Sequence, residues 1–155
     1  MLDEKPLFLA EFGSDMTYVN MAQNLAREFC TLCGLSEEES KNYSTSVREL
    51  TINAIRHGNK LNSKKRVKVE FYQTSREVIT FVQDEGEQRF NPYNYFAATG
   101  ENALSDHGRG LIFVELYTPG WTYVWINPGN RFKIYREKPQ ASLLPNEGQL
   151  GQQGA

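Results

Sequence analysis

The sequence predicts an α+β domain: a two-layer sandwich in which helices cover one face of a mixed, mostly antiparallel sheet. Three observations predict it. Strand-like segments arrive as hairpin pairs, 67–71 with 78–82 and 121–126 with 131–135. Helical patterns are grouped between residues 19 and 56 instead of alternating with strands. The chain has 155 residues, 39% of them hydrophobic and 23% charged, enough for one core but not two.

Leu7 to Phe12 reads as a first strand ending at Gly13. Ser14 and Asp15 offer cap chemistry to a helix whose apolar residues Val19, Ala22, Leu25, Ala26 and Phe29 recur at helical spacing, with Gly34 as its stop. Ser36 to Glu39 forms a capping box for a second helix running to about Arg56, with Gly58 placed as its C-terminal stop. Val67, Val69 and Phe71 alternate, Gln73-Thr74-Ser75 breaks the run, and Val78 to Val82 completes a hairpin. The polar, glycine-containing stretch from Asp84 to Gly110 is too long for an ordinary connection, and such loops tend to carry function. Leu111 to Leu116 reads as a short helix, and a second hairpin folds around Asn127-Pro128-Gly129-Asn130. The Gln-, Gly- and Pro-rich tail, 138–155, is expected to be disordered, which leaves 1–137 as the domain.

A formal net charge of -2 argues against a broadly basic nucleic-acid binder, and Lys64-Lys65-Arg66 reads as the solvated start of a strand. No apolar run approaches the about 20 residues of a membrane span, and the N-terminus lacks a signal-peptide core, so the cytoplasm is the expected location. Cys30 and Cys33 form a CxxC pair. Redox pairs work best at a helix N-terminus, whereas this one falls near a helix end; zinc would need two more ligands, with only His57 and His107 on offer. Core packing is the favoured reading.

Three clusters invite chemistry. Glu49, Asn53 and His57 follow one another at single-turn spacing along a border of the second helix's apolar face. An Asn amide oxygen is a hard neutral ligand suited to Mg²⁺, and a Glu one turn away can accept a proton. The plainer alternative is a solvated helix edge with Glu49 paired to Arg48 or Arg56. Asp84-Glu85-Gly86 follows an apolar strand, where a carboxylate can accept a hydrogen bond from an exocyclic amine and Gly86 can let the backbone approach a ring; the alternative is a plain turn. Gly108-Arg109-Gly110 opens the short helix, where backbone N–H groups and a positive dipole end seat phosphate and Arg109 adds charge; the alternative is a flexible loop end.

Asn on a helix, then Asp-x-Gly after a strand, then Gly-x-Gly at a helix start resembles the N, G1 and G2 boxes of the GHKL ATPase superfamily. Glu49 to Lys60 is similar to the N box of anti-sigma-factor serine kinases, Gly108 to Leu111 to their G2 box, and Asn127 to Lys133 to their closing hairpin. The resemblance spans roughly 7–137 and implies a Bergerat-type ATP-binding fold with ATP and Mg²⁺ as cofactors. It further implies that Glu49 is the general base, that Asn53 holds Mg²⁺, and that Asp84 contacts the adenine amine over Gly86. Gly108, Arg109 and Gly110 would cradle the phosphates, with His57, His107 and Leu111 also at the nucleotide and Arg89 to His107 as the lid. The implied activity is phosphorylation of an anti-anti-sigma protein and sequestration of a sigma factor, by a homodimer touching neither nucleic acid nor membrane. A non-catalytic ATP-dependent interaction module is the alternative; a histidine kinase's catalytic domain is disfavoured because no upstream His-bearing helix is present. The pattern departs from the family where Glu87-Gln88-Arg89 precedes Phe90, and where Thr118-Pro119-Gly120 replaces the acidic residues after the short helix.

Overall fold

The computed structural model describes residues 5–91 and 109–140. Both hairpins form where the alternation places them. The strands are β1 (Phe8–Gly13), β2 (Arg66–Gln73), β3 (Glu77–Gln83), β4 (Thr122–Trp125) and β5 (Asn130–Glu137). They form one five-stranded sheet in the order β1-β2-β3-β5-β4, with every neighbouring pair antiparallel. Because side chains alternate across a strand, Val67, Val69 and Phe71 of β2 and Phe132 and Ile134 of β5 enter the core. Their neighbours Glu70 and Arg131 fall on the opposite face, where the Arg131 guanidinium lies 4.1 Å from the centre of the Phe81 ring.

Helices α1 (Val19–Leu32), α2 (Glu37–Asn53) and α3 (Arg109–Tyr117) supply the other layer. A 3-10 turn, Met16–Tyr18, leads into α1, and the Asp15 carboxylate accepts from the Thr17 N–H at 2.9 Å. Gly34 takes a left-handed φ of 89°, and the Leu35 N–H returns to the Cys30 carbonyl at 3.0 Å, ending α1 as expected. The capping box on α2 is complete: Ser36 Oγ accepts from the Glu39 N–H at 3.1 Å, and Glu39 Oε2 from the Ser36 N–H at 2.9 Å. Ala26 and Phe29 of α1, Val47 and Leu50 of α2, and Leu111 and Val114 of α3 interlock over the sheet valines. Each large apolar side chain so buried stabilises the fold by roughly 1.5–3 kcal/mol. Tyr43 spans the two layers, and its hydroxyl donates to Thr80 Oγ1 at 2.8 Å in the centre of the core.

Cys30 is fully buried and Cys33 half-buried, and they form no disulfide. Burial pushes the Cys30 thiol up to about 12, and burial raises the Cys33 thiol as well. Neither is a thiolate nucleophile, and no group of three His, Cys, Asp or Glu able to hold a metal exists among the described residues. The pair packs the core.

Two expectations need correction. The second helix is regular only to Asn53, and Ala54–Gly58 continues it as a π-helical turn. Gly58 is not its left-handed stop; Lys60 and Leu61 take the positive φ angles, 52° and 58°. Gly58 lacks a side chain for another reason, since a β-carbon there would overlap the Asp84 carboxylate. Residues 138–140, the first of the expected tail, are among the described residues. Lys138 is docked, its N–H donating to the Arg76 carbonyl at 2.7 Å and its ammonium to Gln73 Oε1 at 2.8 Å. Residues 141–155 lie outside the described residues.

Candidate functional site

Packing of α3 against α2 brings Gly110, the described end of the third cluster, against Glu49 and Asn53 of the first. A β-carbon on Gly110 would stand 3.1 Å from Glu49 Oε2 and 3.5 Å from both Asn53 amide atoms. The end of the long loop therefore returns onto the helix edge that carries Glu49 and Asn53. Thr118 secures the return: its hydroxyl donates to the Val114 carbonyl at 2.8 Å and meets Ser46 Oγ of α2 at 3.0 Å, all buried. The Thr118-Pro119-Gly120 departure thus has a packing role. The Glu49 side chain is 16% exposed, and its Oε1 accepts from Arg48 Nη1 at 3.3 Å. Asn53 Nδ2 is buried without any hydrogen-bond partner, unlike any other buried side-chain nitrogen or oxygen among the described residues. A buried unpaired donor is costly in a native protein and calls for a partner.

The second cluster forms where β3 ends. Asp84 is buried; its Oδ1 accepts from the Asn130 N–H at 2.9 Å, the Gly86 N–H at 2.9 Å and Asn130 Nδ2 at 3.1 Å. Oδ2 has only a long contact of 3.4 Å from Asn130 Nδ2. Burial raises the Asp84 carboxyl above its ordinary value, opposed by the hydrogen bonds from Asn130 and Gly86 and by Lys65. Asn59, also buried, braces this turn from the α2 side. Its Oδ1 accepts from the Glu85 N–H at 2.8 Å, while Nδ2 donates to Ser14 Oγ at 2.8 Å and the Arg66 carbonyl at 3.0 Å.

Gly86 is required by contact rather than by φ, since a β-carbon there would overlap the Gly58 carbonyl oxygen. The Asp84 turn is thereby seated on the π-helical turn that continues α2, only five residues along the helix from Asn53. His57 lies half-buried in that turn. The Leu111 side chain is buried in the hydrophobic core. Gly110 is the second residue of α3, placing its N–H among the first-turn donors that have no partner within the helix. His107, Gly108 and the Arg109 side chain lie outside the described residues, as does the lid from Pro92 onward. Of the lid's start, the Phe90 N–H donates to Asn130 Oδ1 at 2.8 Å, and its ring packs on Tyr123 and Phe132.

Three residues of this arrangement escaped the sequence reading. Gly58 passed for a helix stop, Asn59 drew no reading of its own within Glu49 to Lys60, and Asn130 passed for hairpin chemistry in Asn127-Pro128-Gly129-Asn130. Local patterns explained Gly58 and Asn130 adequately. Only a further glycine against a carboxylate, or a buried amide with every bond made, separates them from ordinary turn residues.

The residues present fit a nucleotide with its divalent cation. Asn53 Nδ2 is buried and unpaired, and a half-turn of the amide would put its oxygen, a hard ligand, in that place, beside the Glu49 carboxylate and a glycine that leaves the space open. Helices on one face of an antiparallel sheet, with these groups converging at the end of α2, define an ATP-binding domain of the GHKL kind. The family model for the Histidine kinase-like ATPase domain matches residues 12–119, and the chain belongs to that family. No curated protein matches it.

Proposed function

We propose that this ATP-binding domain is a serine kinase and anti-sigma factor that phosphorylates an anti-anti-sigma protein and sequesters a sigma factor. The observation that carries the reading is the Glu49 carboxylate, partly exposed beside the orphaned Asn53 amide and the side-chain-free face of Gly110. A protein that only bound ATP would need no base at that point. Asp84 accepts a hydrogen bond from the adenine amine, and Asn53 would hold Mg²⁺ at the phosphates. The N–H groups of the Gly108-Arg109-Gly110 segment would serve as donors to the phosphates. Glu49 takes the proton of the substrate serine hydroxyl as its oxygen bonds to the γ-phosphorus; the bond to the bridging oxygen breaks and ADP leaves with that electron pair. Bound Mg²⁺ supplies neutralisation of the phosphate charge.

The Arg48 contact favours a second reading. A guanidinium on Glu49 Oε1 offsets its charge, as in a module that binds its partner in an ATP-dependent manner without phosphorylating it. Labelled ATP, mixed with the chain and a candidate anti-anti-sigma protein, separates the two. Wild type is expected to transfer label and Glu49→Ala to lose transfer by roughly 10²–10⁴-fold, the usual contribution of a general base. Equal transfer by both removes Glu49 from the mechanism, and ATP-dependent complex formation without label favours the second reading. In the same mixture, light scattering tests the homodimer that we also propose.

A further inference from the structure

We propose that Asn130 is a positioning residue that makes the site select a 6-amino purine over a 6-oxo purine, by saturating Asp84 Oδ1 and leaving Oδ2 as the acceptor. The inference rests on the reading of Asp84 as the base-contacting group.

The two Asp84 oxygens are not equivalent. Oδ1 receives three donors, two of them the backbone N–H and side-chain amide of Asn130 at 2.9 and 3.1 Å, whereas Oδ2 receives one contact at 3.4 Å. A carboxylate held in this way cannot rotate to exchange its oxygens without losing several hydrogen bonds, so one defined acceptor is left. An exocyclic amine can donate to that oxygen; a 6-oxo group presents a lone pair to a lone pair and is repelled. Burial raises the Asp84 carboxyl, and the donors from Asn130 work against that rise.

Asn130 is itself buried and uses its whole amide. Besides Asp84, Nδ2 donates to the Gln88 carbonyl at 3.1 Å, and Oδ1 accepts from the Phe90 N–H at 2.8 Å and the Tyr123 hydroxyl at 2.7 Å. With every donor and acceptor engaged, the amide cannot flip, and its donating side stays on Asp84. Its backbone is equally committed, its carbonyl accepting from the Asp84 N–H at 3.0 Å. Gly129, at a φ of 116°, lets this strand lie against Asp84, because a β-carbon there would overlap the Asp84 carbonyl. The side-chain amide is thus the replaceable part of a clamp whose other donors are backbone.

The test is calorimetric titration of the full chain with Mg·ATP and with Mg·inosine triphosphate, which differ at purine position 6. The readout is the ratio of the two affinities. Wild type is expected to prefer ATP. Asn130→Ala is expected to lower the preference roughly tenfold, the value of one charge-assisted hydrogen bond. Asn130→Asp keeps the side-chain volume but replaces the donor with an acceptor, and is expected to lower it at least as far; it decides the matter if the alanine variant does not fold. A preference unchanged in the variants overturns the proposal, as does equal weakening of both nucleotides, the mark of a merely structural role. Wild type binding both nucleotides equally would instead sink the Asp84 reading itself, and this inference with it.

Discussion

Gly110 of α3 lies so close to Asn53 of α2 that a β-carbon on the glycine would touch both amide atoms at 3.5 Å. Two segments almost sixty positions apart in the chain meet there, at a point where the helix interior ends and an orphaned polar group begins.

Replacing Asn53 by alanine removes a buried donor that has no partner in the protein, so stability is expected to hold or rise slightly. Mg·ATP affinity is expected to fall at least roughly tenfold, the scale of one lost ligand or charge-assisted hydrogen bond. Calorimetry with and without Mg²⁺, alongside thermal unfolding, separates the effects; unchanged affinity would rule out Asn53 as a ligand.

Gly110→Ala pits two terms against each other. Alanine raises helix propensity by about 1 kcal/mol, yet its methyl would sit 3.1 Å from Glu49 Oε2. The expected result is a chain of similar stability with weaker nucleotide binding and slower phosphoryl transfer. A variant with wild-type turnover would mean that nothing needs the space in front of Glu49.

Asp84 gives a pH dependence with a definite sign. Burial raises its carboxyl in the folded state, so the folded protein retains that proton to higher pH than the unfolded chain. Its contribution to stability is full below the unfolded value and is lost as pH rises through the folded value. Asp84→Asn is therefore expected to flatten the stability profile across that window and to stabilise the nucleotide-free chain above it. ATP affinity needs the ionised acceptor and is expected to fall on acidification through the raised value. Denaturant midpoints and ATP titrations across pH check both, and an acid-insensitive ATP affinity would contradict the acceptor role.

Tyr43→Phe tests the join between the layers. It deletes the hydroxyl that donates to Thr80 Oγ1 at 2.8 Å while keeping the ring, and is expected to cost about 1 kcal/mol with no change in nucleotide binding. Urea unfolding gives the first quantity and calorimetry the second.

The sequence by itself determined the local structure. Alternation in Val67, Val69 and Phe71, the Ser36–Glu39 capping box and the left-handed glycine at 34 act over a few residues, through side-chain period and backbone hydrogen bonding. The layer order followed, because apolar stripes and faces have few ways to cover one another. The tertiary structure alone decided which groups share the site. Gly58 overlaps no neighbour in sequence but is pressed against Asp84, and Asn130 reads as turn chemistry until its amide is found clamping a carboxylate from a different strand. Such assignments depend on contacts between residues far apart in the chain, which no local period encodes.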